Sequence, residues 1–195
     1  MPGDNVVLIG FMGVGKSTIG RLLARRLGRC FVETDDVITA GEGRSVPEIF
    51  RRDGEARFRQ LEGETLEALA LKSGDVIATG GGLPCQEGRM ARLRELGTVI
   101  WLKGDLQVAL ERARRSGARP MLAGRSFDDL EALCREREPY YRDAQLSIDT
   151  TGLTIDQVVA RILSLLRGRE KSAPQVTGGR GPLRSTDPAA APPNV

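Results

Sequence analysis

Short apolar runs alternate with longer amphipathic segments along this chain. Five of the runs carry no charged side chain and predict β-strands: residues 6–9, 30–32, 76–78, 99–102 and 145–148. Most of them are apolar at nearly every position, which is typical of parallel strands that are buried on both faces. The segments between the runs are long enough to form helices, so strands and helices are expected to alternate.

The last amphipathic segment shows the helical pattern most clearly. Its apolar residues recur at helical spacing, at Ile155, Val158, Val159, Ile162, Leu165 and Leu166. Thr154 and Gln157 resemble a capping box at its start, and Gly168 suits its C-terminal end. Strands that alternate with helices favour right-handed crossovers and a sheet covered on both faces. The pattern therefore predicts an α/β fold, a three-layer α/β/α sandwich around a five-stranded parallel sheet.

Composition changes after Gly168. The 195-residue chain is 40% hydrophobic and 28% charged, as expected for one globular domain. Its last segment, GGRGPLRSTDPAAAPPNV, is instead dominated by small residues and proline, and such a segment cannot bury enough apolar surface to become ordered. We expect a folded domain over residues 1–168 and a disordered tail over residues 169–195.

Charge and cysteine content argue against several kinds of protein. The net charge is +3, the basic residues are scattered, and aromatic residues make up 4% of the chain, which disfavours nucleic-acid binding. Cys30, Cys85 and Cys134 form no C-x-x-C pair, which disfavours a disulfide framework or a zinc site. The sequence has no signal-peptide pattern and no apolar run of about 18 residues. We expect a cytoplasmic protein that binds neither nucleic acid nor membrane.

Residues 10–18 read GFMGVGKST and contain the phosphate-binding pattern G-x-x-x-x-G-K-S. The pattern lies directly after an apolar run and directly before a helical stretch, which is the context that a P-loop requires. Glycines let backbone N–H groups turn toward phosphate oxygens, and a helix N-terminus favours anions. We expect Lys16 to reach the β- and γ-phosphates of a nucleoside triphosphate and the Ser17 hydroxyl to ligate Mg²⁺. The other expected nucleotide contacts are Gly13, Val14, Gly15 and Thr18.

Acidic residues follow the second apolar run, in the segment FVETDD. If this segment is extended, Glu33 and Asp35 point to one side and Asp36 points away. Two carboxylates near the carboxyl ends of parallel strands suit a kinase, in which one supports Mg²⁺ and the other accepts or orients the proton of a substrate hydroxyl. The alternative is that Asp35 and Asp36 only cap the next helix.

The third apolar run ends in three glycines, residues 80–82. GTPases and mechanical ATPases typically carry an acid at the end of such a strand to hold Mg²⁺ through water, and none is present here. The three glycines offer backbone N–H groups to an anion or to hydroxyls, or they form only a flexible turn.

Together these stretches resemble the shikimate kinases. The segments GFMGVGKSTIGRLLA, FVETDDVI, GRSVPEIFRRDGEARFRQLE, VIATGGG, ARPML and REREPYY follow that family's order and spacing over roughly residues 5–167. The resemblance implies a P-loop fold like that of nucleoside-monophosphate kinases, with a mobile lid over about residues 114–125 and a substrate-binding segment over about residues 34–62. It implies ATP-dependent phosphorylation of the 3-hydroxyl of shikimate, on the route to chorismate and the aromatic amino acids. It also implies a monomer with Mg²⁺ as cofactor and shikimate and ATP as partners.

The resemblance also assigns the acceptor site. It implies that Asp35 contacts the shikimate hydroxyls and acts as base or orienter. Arg59 and Arg137 match two arginines that grip the shikimate carboxylate, although an arginine in this chain could equally be a solvated surface residue. Gly80, Gly81 and Gly82 match the element beside the substrate ring.

For the nucleotide, the resemblance implies that Arg119 is the lid arginine that closes over the phosphates and acts in catalysis with Lys16 and Asp35. Arg112 matches an arginine near the adenine, with a helix-surface role as the alternative. Two departures from the family pattern stand out. Glu33 replaces the usual Asp as the indirect Mg²⁺ ligand, and the segment DTTGLTID lacks an arginine that some relatives present to the nucleotide.

Two other functions remain open at this point. Another small P-loop kinase, such as a gluconate kinase, explains the two arginines and the three glycines less well. A kinase fold retained as a noncatalytic nucleotide sensor is disfavoured, because the proposed transfer residues occur together.

Overall fold

The computed structural model describes residues 4–115 and 125–172 of the chain. Five strands form one parallel sheet in the order β2-β3-β1-β4-β5. The strands are β1 (Asn5–Ile9), β2 (Phe31–Glu33), β3 (Val76–Ala78), β4 (Gly97–Lys103) and β5 (Leu146–Asp149). This confirms the five predicted strands, each with ends within two residues of the apolar run that predicted it.

The described part of the chain contains seven α-helices. They are α1 (Lys16–Leu27), α2 (Thr34–Glu42), α3 (Val46–Leu69), α4 (Arg89–Leu96), α5 (Leu106–Arg115), α6 (Phe127–Arg142) and α7 (Ile155–Ser172). A short 3₁₀ turn, Leu83–Cys85, follows β3. None of these helices is long and apolar enough to cross a membrane.

Two buried clusters make the sandwich three layers thick. Val7 and Ile9 of β1 point into the cluster that α3, α4, α5 and α6 cover, whereas Val6 and Leu8 point into the cluster that α1 and α7 cover. A strand that is apolar at every position therefore has a core on each face, as the sequence predicted. Burial of one such aliphatic side chain stabilises the fold by roughly 1.5–3 kcal/mol.

A third, smaller cluster lies beside the sheet, between α2 and α3. Ile38, Ile49, Phe58 and Leu61 form it, with Val46 and Phe50 packed against them. Helix α3 is kinked at Gly54, whose φ of 81° and ψ of 175° are not helical. These two helices carry most of the substrate-binding segment that the resemblance implies.

Two local predictions were wrong. Helix α7 continues through Gly168 to Ser172, so residues 169–172 are helical and the predicted tail cannot begin at residue 169. Strand β2 ends at Glu33 and α2 begins at Thr34, so the segment around Asp35 is not extended. The capping box of α7 is confirmed: the Thr154 N–H donates to the Gln157 side chain and the Gln157 N–H donates to the Thr154 hydroxyl. Residues 173–195 and most of the predicted lid lie outside the described residues.

Candidate active site

The loop between β1 and α1 has the backbone that phosphate binding requires. Gly13 has a φ of 77°, and a Cβ there would lie 1.8 Å from the Ala109 carbonyl oxygen, so a larger residue would be both strained and displaced. Helix α1 begins at Lys16, which turns its first N–H groups toward the loop. The buried Lys16 ammonium donates to the carbonyl oxygens of Gly10 at 2.8 Å and Phe11 at 3.1 Å. The loop is thus a compact basic cradle, which suits a phosphate chain.

The Ser17 hydroxyl donates to the Glu33 carboxylate at 2.5 Å. Arg21 lies on the outer side of the same carboxylate, 3.6 Å from Glu33 and 3.7 Å from Asp36. A serine oxygen and a carboxylate are the kinds of oxygen ligand that Mg²⁺ prefers. The longer Glu33 side chain, where the family usually has Asp, reaches the serine directly, so the residues present fit a magnesium ion.

Asp35 lies in the first turn of α2 rather than on a strand. Glu33 and Asp35 therefore do not share a face by strand alternation as predicted, because a helix places neighbouring side chains about 100° apart. Asp35 nevertheless faces the third strand: a Cβ on Gly80 would lie 2.8 Å from Asp35 Oδ1. The Asp36 side chain is 70% exposed and is paired with Arg21. Of the two aspartates, Asp35 lies against the triple-glycine turn.

The triple-glycine turn, residues 80–82, has a functional side chain packed against each glycine. Gly80 faces Asp35. A Cβ added at Gly81 would lie 3.5 Å from Arg137 Nη1, and one added at Gly82 would lie 2.8 Å from Arg59 Nη1. The turn is also fixed, because the Gly80 N–H donates to the hydroxyl of the fully buried Thr34 at 3.0 Å. The absence of side chains at the three glycines lets one aspartate and two arginines converge on one short stretch of backbone.

Arg59 is held between two carboxylates of its own helix. Its Nη1 lies 2.8 Å from Glu62 and its Nη2 lies 2.7 Å from Glu55. Glu62 is only 1% exposed, and burial raises the pKa of its carboxyl although the charge on Arg59 works in the opposite direction. Glu62 Oε1 accepts no hydrogen bond from the described residues and lies 3.2 Å from the position of a Cβ on Gly80.

Sequence reasoning missed Glu62. The i, i+3 spacing from Arg59 within a long helix was the available signal.

Arg137, on α6, is the second of the two arginines that the sequence assigns to carboxylate binding, and it is only 7% exposed. Its guanidinium carbon lies 5.9 Å from the centroid of the Phe11 ring. Within the described residues no carboxylate pairs with it, although a buried charge normally requires a partner. A surface-solvated arginine is excluded at this position, and the arrangement favours an anionic ligand.

A cavity of about 420 Å³ joins these groups. Its polar wall includes Glu33, Asp35, Arg59, Glu62, Arg137 and the triple-glycine turn, and its apolar wall includes Met12, Val46, Pro47, Phe50 and Phe58. A volume of this size suits a small ligand. The wall combines two guanidinium groups with carboxylates, so the cavity suits a compact acid that also carries hydroxyl groups.

A smaller cavity of about 120 Å³ lies beside Val14 of the loop. Arg112 lines it, as do Gly104, Val108 and residues 150–153. Arg112 and the segment after β5 therefore lie at the same place, next to the phosphate-binding loop. Arg119, the predicted lid arginine, lies outside the described residues.

Comparisons with known proteins give one consistent answer. A family model described as shikimate kinase matches residues 12–167. The chain is 46% identical over 166 residues to the shikimate kinase of Geobacter sulfurreducens, which covers 85% of this chain and 92% of that protein. It is similar to the structure of the Acinetobacter baumannii shikimate kinase in complex with shikimate, with a TM-score of 0.78 and 34% identity over 86% of this chain and 94% of the other. The Aquifex aeolicus enzyme gives a TM-score of 0.77 and 38% identity over 87% and 99% of the two chains.

Proposed function

The chain belongs to the shikimate kinase family, and we propose that its cavity of about 420 Å³ is the site where ATP phosphorylates the 3-hydroxyl of shikimate. The products are shikimate 3-phosphate and ADP. The observation that carries the proposal is the buried Arg137, which no described carboxylate pairs with and which faces the same cavity as Asp35. A substrate with a carboxylate at one end and hydroxyls at the other satisfies both groups.

Arg137 and Arg59 recognise the substrate carboxylate in this proposal. A guanidinium can bind a carboxylate through two parallel hydrogen bonds, and two of them fix its position as well as its charge. Arg137 supplies a positive charge that no carboxylate of residues 4–115 and 125–172 pairs with. Glu62 and Glu55 already orient Arg59. Arg59 therefore loses less side-chain entropy when it binds the substrate carboxylate and helps to fix the orientation of that group.

Asp35 binds the reacting hydroxyl. Its position against Gly80 leaves the carboxylate at the cavity wall next to the phosphate-binding loop, since β3 pairs with β1. There it can accept a hydrogen bond from the hydroxyl and orient the oxygen toward the γ-phosphoryl group. Phosphoryl transfer through a loose transition state needs little more from the protein than this positioning and charge neutralisation.

The ATP phosphates bind to the loop over residues 13–18. Lys16 can then move its donors from the Gly10 and Phe11 carbonyls to the phosphate oxygens, and Ser17 and Glu33 would hold Mg²⁺, Glu33 indirectly. Mg²⁺ neutralises phosphate charge when it is bound. The cavity next to Arg112 takes the adenine, and Arg119 closes over the phosphates from the lid over about residues 114–125.

We expect the enzyme to act as a monomer in the cytoplasm, without a nucleic-acid or membrane partner. Its place in aromatic biosynthesis follows from the product, which leads to chorismate. We propose that the tail begins after Ser172, the last residue of α7.

ADP release by the purified protein with Mg²⁺ and ATP tests the proposal. Three reactions are compared: with shikimate, with gluconate and without an acceptor. Shikimate alone is expected to stimulate ADP release strongly, and phosphorus NMR of the product should locate the phosphate on the 3-hydroxyl. Stimulation by gluconate instead would identify gluconate rather than shikimate as the acceptor. ATP binding without any stimulated turnover would favour a nucleotide sensor.

A further inference from the structure

A tyrosine that takes no part in the proposed chemistry lies behind the triple-glycine turn. Tyr141, near the end of α6, is 1% exposed and is the largest fully buried side chain of the described residues. Its hydroxyl donates to the carbonyl oxygen of Gly81 at 2.6 Å. The partners are 60 residues apart, so this bond ties α6 to the loop after β3.

The same hydroxyl also faces Arg137, four residues earlier on α6. The positive guanidinium acts on the phenol by lowering its pKa, and Arg137 Nη1 lies 3.5 Å from the position of a Cβ on Gly81, the residue that the phenol also contacts. A phenol has one donor and an acceptor oxygen. Here Gly81 accepts the donor, and the phenol and the Arg137 guanidinium both lie against Gly81, so one side chain connects the backbone beside the cavity to the neighbourhood of its buried cation.

The hydroxyl keeps its proton under all ordinary conditions. Burial raises the pKa of Tyr141 well above its usual value, although Arg137 works against this. The Cys85 thiol, which also approaches the Gly81 carbonyl at 3.8 Å, is likewise protonated, because burial raises its pKa to about 11. The Tyr141 bond is by far the shorter of the two.

From these contacts we infer that Tyr141 is a positioning residue for acceptor binding. Its hydroxyl fixes the side-chain orientation of Arg137 relative to the triple-glycine turn. The guanidinium that binds the substrate carboxylate is thereby held in place relative to the glycines that line the cavity. Tyr141 does not line the acceptor cavity, so it acts on the substrate only through these two neighbours. The inference rests on the proposed function of the cavity.

The phenyl ring has a separate, structural role. It packs against Trp101, with ring centroids 5.9 Å apart, inside the cluster under α5 and α6. Tyr141→Phe keeps this ring and removes only the oxygen, so the two roles can be separated. Tyr140 provides a matched control, because it is the neighbouring tyrosine on the same helix and is 43% exposed.

The test compares the wild type, Tyr141→Phe and Tyr140→Phe by steady-state kinetics and by calorimetric binding of shikimate and of ADP. We expect Tyr141→Phe to raise the KM and the Kd for shikimate about five- to twenty-fold, since the buried Gly81 carbonyl loses its short hydrogen bond and the turn beside Arg137 is no longer held. The KM for ATP and the Kd for ADP should change less than two-fold. Tyr140→Phe should match the wild type in every measurement.

A double-mutant cycle with Arg137→Lys adds a readout that a purely structural role would not change. The Tyr141→Phe effect on shikimate affinity should shrink to two-fold or less in the Arg137→Lys background, because the lysine lacks the guanidinium that the tyrosine orients. ADP binding stoichiometry in the same samples gives the folded fraction, so a less stable variant still yields a corrected shikimate affinity.

An unchanged shikimate affinity in Tyr141→Phe, or an equal loss for shikimate and ADP, would overturn the inference. A wild type that does not phosphorylate shikimate would instead overturn the proposed function.

Discussion

The two halves of the site are built in different ways. The phosphate-binding part of the nucleotide half is one continuous stretch of the chain, residues 10–18, whose backbone shape follows from glycines and the start of α1. The acceptor half collects side chains from α2, α3 and α6 around the turn after β3. Backbone sites tolerate little change at their glycines, whereas side-chain sites can be changed one group at a time. A single substitution can therefore damage one half and spare the other.

Gly13→Ala is expected to have the largest effect, on the nucleotide half. The new Cβ would lie 1.8 Å from the Ala109 carbonyl oxygen at a φ of 77°, so the loop must move. We expect ATP binding measured by calorimetry to weaken at least about 100-fold, because the phosphates lose several aligned N–H donors. Gly28→Ala is the control, since Gly28 has a φ of 66° but no atom within 4 Å of the added carbon. It should cost about 1 kcal/mol of stability and leave ATP binding intact.

Asp35→Asn should affect the acceptor half next most strongly. The amide keeps the size of the side chain but loses the negative charge that accepts and orients the hydroxyl. We expect kcat to fall about 10²- to 10³-fold while the KM for ATP changes less than three-fold. Asp36→Asn, one residue along the same helix and largely exposed, should keep most of the activity. An unchanged turnover number in Asp35→Asn would remove this residue from the catalytic role.

Arg59→Ala should act on acceptor binding rather than on turnover. The variant removes one donor to the substrate carboxylate and leaves Glu62 buried without its partner. We expect the KM for shikimate to rise roughly 10- to 100-fold, with the KM for ATP nearly unchanged. Arg57→Ala, on the same helix but paired with Glu42 and Glu64, is the control. If the loss appeared only in the KM for ATP, the assignment of Arg59 to the acceptor half would be wrong.

Glu62→Gln should give the smallest effect, seen in the pH dependence of stability. Burial raises the pKa of Glu62 in the folded protein, so the folded state binds this proton more tightly than the unfolded chain does. The resulting stability is present below about pH 4.5, the ordinary value for the group, and is lost as pH rises through the raised pKa. The stability of the wild type relative to Glu62→Gln should therefore fall over that window.

Urea unfolding at a series of pH values measures this difference. Each ten-fold difference in proton affinity between the two states is worth about 1.4 kcal/mol. Glu55→Gln is the control, because Glu55 pairs with the same arginine but its side chain is 60% exposed. An identical pH profile for the wild type and Glu62→Gln would contradict a perturbed carboxyl in the acceptor half.

The contrast between the halves also explains what the sequence could predict. The strands and the phosphate-binding loop depend on neighbours in the chain, so their patterns are local and the structure confirms them. The prediction of an extended segment around Asp35 was wrong because α2 begins at Thr34, directly after β2. Two acids in a row after a strand are also typical of the first turn of a helix, which is where Asp35 and Asp36 lie, without a side-chain capping bond within the described residues.

Other parts of the acceptor half have no local signal at all. The hydroxyl of Tyr141 meets the carbonyl of Gly81 across 60 residues, and Thr34 meets Gly80 across 46. Such contacts follow from the order of strands in the sheet and the angle at which α6 crosses it. Composition and periodicity determine neither the strand order nor the crossing angle of α6. The burial of Tyr141 and Glu62 therefore becomes visible only in the three-dimensional structure.

The strand order has one more consequence. β1 and β3, which end in the phosphate-binding loop and the triple-glycine turn, are direct neighbours near the middle of the sheet, with Val7 opposite Ile77 and Leu8 opposite Ala78. The alignment of the phosphate-binding loop with the triple-glycine turn is therefore set by hydrogen bonds at the centre of the protein. Amide protons there exchange with solvent only when large parts of the fold open. The spacing between the loop and the turn should thus persist as long as the folded core itself.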